Sequence, residues 1–134
     1  MPPTRLYIWF ASLGLFLQGA VTLAALLVPA VDRVLPFVLE QTKMIPAHST
    51  LHIVSGLIGF AVLRFGGATG VWWFALLFGL FYAGLAVFGA VIGHPLGLGL
   101  QPFDHPFHLA LGGLGLIAVL VEYLWPRTNR RATG

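Results

Sequence analysis

Charged side chains are scarce in this sequence. Asp, Glu, Lys and Arg together make up 8% of its 134 residues, where a soluble globular domain carries about a quarter, so a water-soluble fold is strongly disfavoured. Cysteine is absent, which removes disulfides, thiolate metal ligands, c-type haem attachment and cysteine nucleophiles together. Nucleophile–base pairs and nucleic-acid modules are missing as well. Gly97-Leu98-Gly99 has no following helix or lysine and makes no phosphate cradle. The net charge of +3 would permit nucleic acid as a partner, but the positions of the charges point to a lipid bilayer instead.

What the chain has in abundance is apolar residues, at 58%, gathered into four stretches at 6–28, 46–65, 71–93 and 106–125. Each meets the roughly 20 residues that a helix needs to cross the hydrocarbon core. The expected fold is therefore an all-α membrane protein, a single four-transmembrane-helix bundle with no separate soluble domain. Arg5 ahead of the first stretch resembles a signal peptide, but that stretch exceeds the roughly 7–15 apolar residues of a signal core and is read as a retained span. Arg5, Arg64, Arg127, Arg130 and Arg131 fall on one side after four crossings. Arg33 and Lys43 fall on the other, beside Asp32, Glu40 and Asp104. The positive-inside rule then puts both termini in the cytoplasm. Trp9, Trp72, Trp73, Tyr123 and Trp125 sit near the same ends, as an aromatic belt would.

The halves of the chain resemble each other. Gly14-Leu15-Phe16 and Gly19 in the first span match Gly79-Leu80-Phe81 and Gly84 in the third. Leu51-His52, Gly56 and Gly59 in the second match Phe107-His108, Gly112 and Gly115 in the fourth. Two repeated helical hairpins, related by an axis along the membrane normal, are expected. Between the first two spans, residues 31–41 carry apolar side chains at helical spacing, which predicts a short interfacial helix or, because Pro36 interrupts it, an irregular loop. Gly66 to Gly70 reads as a tight turn, and the Gly- and Leu-rich segment 95–103 as a loop dipping into the headgroups. Pro46 and Pro106 suit first helical positions, with Asp104 or His105 as a cap for the last helix. Glu122 reads as a carboxylate reaching water or Arg127, and Gln18 as an interhelical hydrogen-bond partner. Ser55, Gly56, Gly59, Gly112, Gly115 and the run Ala75, Gly79, Ala83 form stripes suited to close helix packing inside the bundle.

All five histidines, His48, His52, His94, His105 and His108, map to the outer half. His52 lies twelve residues before Arg64, about 18 Å, and His108 fourteen before Glu122, about 21 Å, so the two share a depth. His48 and His52 share a face at i, i+4, and His105 and His108 nearly do at i, i+3. Ionisable groups at membrane depth mark candidate sites. Two cofactor readings follow. His52 and His108 would be axial ligands of a b-type haem, with Gly56 and Gly112 one turn away to admit the macrocycle. Alternatively His48, His52, His105 and His108, with Asp104, would hold zinc or copper. A third reading needs no cofactor: histidines bonded to loop carbonyls or headgroup water, and glycines serving helix packing. Ligation of a pigment by a lone histidine is also open.

Leu51-His52-x-x-x-Gly56 and Phe107-His108-x-x-x-Gly112, the latter preceded by Gln101-Pro102-Phe103-Asp104, resemble a family of uncharacterised bacterial four-span membrane proteins. The resemblance implies a four-helix protein of the bacterial inner membrane and brings no activity or cofactor with it. The function expected is a non-enzymatic accessory or scaffold subunit of a larger membrane complex. Its rival is a haem or transition-metal protein using His52 and His108.

Overall fold

The computed structural model describes residues 1–92 and 95–132, and among them every regular element is helical. In chain order these are α1 (Pro3–Leu27), α2 (Pro29–Val34), α3 (Pro36–Thr42), α4 (Pro46–Phe65), α5 (Gly67–Ile92), a single 3-10 turn (Pro95–Gly97) and α6 (Asp104–Ala132). Four of them, α1, α4, α5 and the Asp104–Leu124 part of α6, are long and apolar enough to cross a membrane. Only 22–39% of each apolar window is buried inside the protein. Much of the remaining apolar surface points outward, so these helices are hydrophobic all round, as membrane spans are.

Proline sets most of the helix starts. α1, α2, α3 and α4 each carry Pro in the first turn, where its missing N–H costs no hydrogen bond. Pro36 accordingly breaks the segment after α1 into two short helices, with Leu35 between them in a non-helical conformation. The turn between α4 and α5 is tighter than expected, because α5 already begins at Gly67, whose φ of 60° suits glycine. α6 likewise begins two residues early, at Asp104, so Pro106 falls inside its first turn.

α1 packs most extensively against α4, and α5 against α6. Further contacts of α1 with α5 and α6, and of α4 with α5, close the bundle. Small residues let the backbones approach. A methyl group on Gly56 would lie 2.6 Å from the Ser12 carbonyl oxygen of α1, and one on Gly112 would lie 2.7 Å from the Gly79 carbonyl oxygen and collide with Ala83 of α5. Gly115 makes room for the Tyr7 ring, whose hydroxyl donates to the Leu111 carbonyl at 2.9 Å. These stripes face the bundle interior, whereas Gly14 and Gly84 have open space beside them.

The segment after α5 departs from expectation. Instead of resting among headgroups, it turns its Leu98 and Leu100 into the core, where they join Ala11, Leu15, Phe78, Tyr82 and Leu85. Burying two leucines stabilises that fold-back by about 1.5–3 kcal/mol each, more than an interfacial position would. A second cluster, Ile8, Val71, Ala75 and Val119, fills the opposite end.

At that opposite end the helix termini are capped from neighbouring helices. Thr4, in the first turn of α1, donates both its N–H, at 3.0 Å, and its hydroxyl, at 2.5 Å, to the Glu122 carboxylate of α6. A negative charge thus meets the positive end of the α1 dipole and satisfies one of its orphan donors. Arg5 donates to the Leu63 carbonyl in the last turn of α4 at 2.9 Å, the complementary arrangement. The carboxylate of Glu122, expected to reach water or Arg127, has this structural task. The side chains of Trp125, Arg127, Arg130 and Arg131 lie outside the described residues.

Candidate metal centre

The i, i+4 spacing of His48 and His52 puts both rings on one face of α4, and the approach of α6 brings His108 against them. Ring centroids are 4.6 Å apart for His48–His52, 5.7 Å for His48–His108 and 5.9 Å for His52–His108. The three side chains are 0–1% exposed. One ring nitrogen from each can be chosen so that all three lie within 4.8 Å of one another.

None of the six ring nitrogens has a hydrogen-bond partner among the described residues. A buried polar atom left unpaired costs roughly 1–3 kcal/mol, and such groups are rare in native proteins. Six in one place form a donor set without an acceptor. Other polar groups nearby are served: the Thr22 hydroxyl bonds to Ser49 at 2.9 Å and to the Gln18 carbonyl at 2.8 Å, and Gln18 donates from Nε2 to the Met44 sulfur at 3.8 Å. The expectation that the histidines bond to loop carbonyls therefore fails for these three.

Asp104 is 2% exposed and lies one turn before His108 on α6. Its Oδ2 accepts the Gln101 N–H at 2.7 Å, which pins the loop to the start of α6. It is not a member of the convergent nitrogen group. His105 is turned towards α5, where Gly89 makes room for its ring: an added methyl there would lie 2.7 Å from Cε1. The five-residue ligand set expected from sequence thus contracts to His48, His52 and His108. His94 lies outside the described residues.

The residues do not fit a haem. Axial ligation places two imidazoles on opposite faces of a macrocycle, yet the His48 ring occupies the space that its plane would need beside His52 and His108. Gly56 and Gly112, expected to admit the macrocycle, are filled by the backbones of α1 and α5. A single ion is the group that these three nitrogens could hold, since imidazole is a standard ligand of zinc and copper.

Tyr82 of α5 is the member of the surroundings that sequence reasoning missed. Its ring lies 5.2 Å from His108 and 6.5 Å from His52, fully buried. The hydroxyl faces Ser55 without a well-formed hydrogen bond. Its signal was available: Tyr82 is one turn beyond Phe78 and two beyond Ala75 on the small-residue face of span three, away from the tryptophans. Phe107 packs against both His52 and His108 and completes an apolar wall.

Fold and site together define an all-helical protein with four helices long and apolar enough to cross a membrane, and a buried cluster of three histidines. Comparison of the chain with protein-family models, with curated proteins and with solved structures gives no match.

Proposed function

We propose that this is a metal-binding integral protein of the bacterial inner membrane in which His48, His52 and His108 hold one zinc or copper ion. The observation that carries it is the convergence of six partnerless, buried ring nitrogens from two helices. Bound metal would answer the cost of burying them, since three of the nitrogens become ligands. The role is one of binding, as a metal-holding accessory subunit of a larger membrane complex, rather than catalysis. Metal analysis by mass spectrometry of the purified protein tests it. One ion per chain is expected, lost in His52→Ala and in His108→Ala; a wild-type protein that holds no zinc or copper even after incubation with either ion overturns it.

Both termini face the cytoplasm and two hairpins are repeated in this proposal. Supporting the repeat, Gly56 and Gly112 occupy matching places, each seated on the long helix preceding its own. The partners Ser12 and Phe16 then correspond to Gly79 and Ala83, a register two residues away from the one that the Gly-Leu-Phe match implies. Orientation rests on the arginine distribution and on the outward exposure of Trp9, Trp73 and Tyr123 near one end. With no native cysteine, single substitutions make a clean test. Ala30→Cys is expected to react with an impermeant maleimide from the outside of intact cells, and Ala68→Cys only after the membrane is opened; the reverse pattern overturns the orientation.

A further inference from the structure

The proposed metal reading leaves the ion and its charge state open, and the surroundings of the three imidazoles discriminate between candidates. We propose that the site is built for monovalent copper, Cu(I), held by His48, His52 and His108 with its single charge balanced by the buried carboxylate of Asp104. This inference rests on the metal-binding reading and adds the identity of the ion.

Charge decides first. Imidazole ligates as a neutral group, so three of them contribute nothing to offset the ion. Burial in low dielectric penalises charge steeply, and in the Born description the penalty scales with the square of the charge, about fourfold between a monovalent and a divalent ion. Among the described residues, Asp104 is the buried carboxylate, at 2% exposure, and it lies one turn before His108 on the same face of α6. Cu(I) plus Asp104 gives a neutral interior, whereas Zn(II) leaves an uncompensated positive charge.

The hairpin likeness explains how that charge comes to be there. Asp104 precedes His108 by four residues as His48 precedes His52. Each half therefore carries an i, i+4 pair on one face of a long helix, His/His on α4 and Asp/His on α6. Three neutral donors and one anion result.

Coordination points the same way. Histidines that ligate zinc ordinarily donate their second ring N–H to a carboxylate or carbonyl, which raises their basicity and fixes their orientation. Among the described residues the second nitrogens lack such an acceptor, and the walls are the rings of Tyr82 and Phe107. Divalent zinc seeks a fourth ligand, whereas imidazole also suits copper and closed-shell Cu(I) accepts three ligands.

The test is an anaerobic competition on the purified full-length protein. Cu(I) is supplied as its bicinchoninate complex, whose colour falls as the protein withdraws the ion, and is then challenged with about tenfold Zn(II), where a factor of ten corresponds to 1.4 kcal/mol. Expected are one Cu(I) per chain, retention against that zinc, and affinity at least about tenfold lower in Asp104→Asn. The asparagine keeps an acceptor for the Gln101 N–H, and an unchanged melting temperature of the metal-free variant separates loss of charge from loss of fold. A Glu122→Gln variant, altered at the far end of the bundle, is expected to bind Cu(I) like the wild type. Displacement of Cu(I) by zinc, or undiminished Cu(I) affinity in well-folded Asp104→Asn, overturns the cuprous assignment while leaving a metal site in place. Binding of neither ion overturns both.

Discussion

At one end of the bundle the half-buried carboxylate of Glu122 meets an N–H and a hydroxyl from Thr4; at the other, His48, His52 and His108 are wholly buried, with no partner for any ring nitrogen among the described residues. Both are ionisable groups on helices long and apolar enough to cross a membrane, the kind of residue that marks a candidate site by default. The contrast lies in what answers them. Glu122 serves as a cap for α1, supplied from another helix, and its polar capacity is used inside the protein. The imidazoles have theirs left over. In a medium where an unpaired polar atom is costly, leftover capacity concentrated within a few ångströms marks a candidate ligand site, and spent capacity marks a structural role.

Several experiments would break or sharpen this contrast. The largest effect is expected at the histidines: His52→Ala or His108→Ala should lower metal affinity by more than about 100-fold, beyond the 10–100-fold typical of changes behind the ligands, as read by equilibrium dialysis. Glu122→Ala should leave that affinity unchanged. Stability should respond the other way, with Glu122→Ala destabilising the protein by about 1.5–3 kcal/mol through loss of charge-assisted hydrogen bonds, measured by thermal melting in detergent. His48→Leu should be neutral or stabilising in the metal-free protein, since an apolar side chain of similar size replaces an unpaired polar one. A clear loss of stability there would mean that His48 has a structural partner after all.

Smaller effects concern the packing that brings the ligands together. Gly112→Ala forces a methyl group into the α5 backbone and should cost about 1–3 kcal/mol, with weaker metal binding because His108 lies on the same helix. Gly14→Ala, at a position with open space, should be neutral or stabilise slightly, by under about 1 kcal/mol, since alanine is the better helix former. Removing metal with a chelator should lower the melting temperature of the wild type, by the linkage between binding and folding, and leave His52→Ala unmoved.

Much of the architecture was legible beforehand. Four apolar stretches, the start of α4 at Pro46 and the interruption at Pro36 follow from local rules of length, charge and backbone geometry. His48 and His52 could be assigned to one helix face, and His52 and His108 to one depth, from the helical rise alone. Illegible were the rotation of α6 about its axis and the seating of α5. These decide that His108 joins the cluster while His105 turns to Gly89, that Gly56 and Gly112 touch neighbouring backbones instead of flanking a cofactor slot, and that Tyr82 forms a wall. They also fold Leu98 and Leu100 back over the core, which composition alone read as interfacial.

The amino-acid order by itself therefore determined which segments are helices, how long they are and that most of their surface is apolar, because those properties depend on neighbours along the chain and on the contrast between water and hydrocarbon. Only the tertiary structure decided which side chains meet. In lipid the apolar effect hardly distinguishes one helix face from another, so rotation and pairing are set by the fit of small residues against backbones, and that fit is a property of two surfaces together.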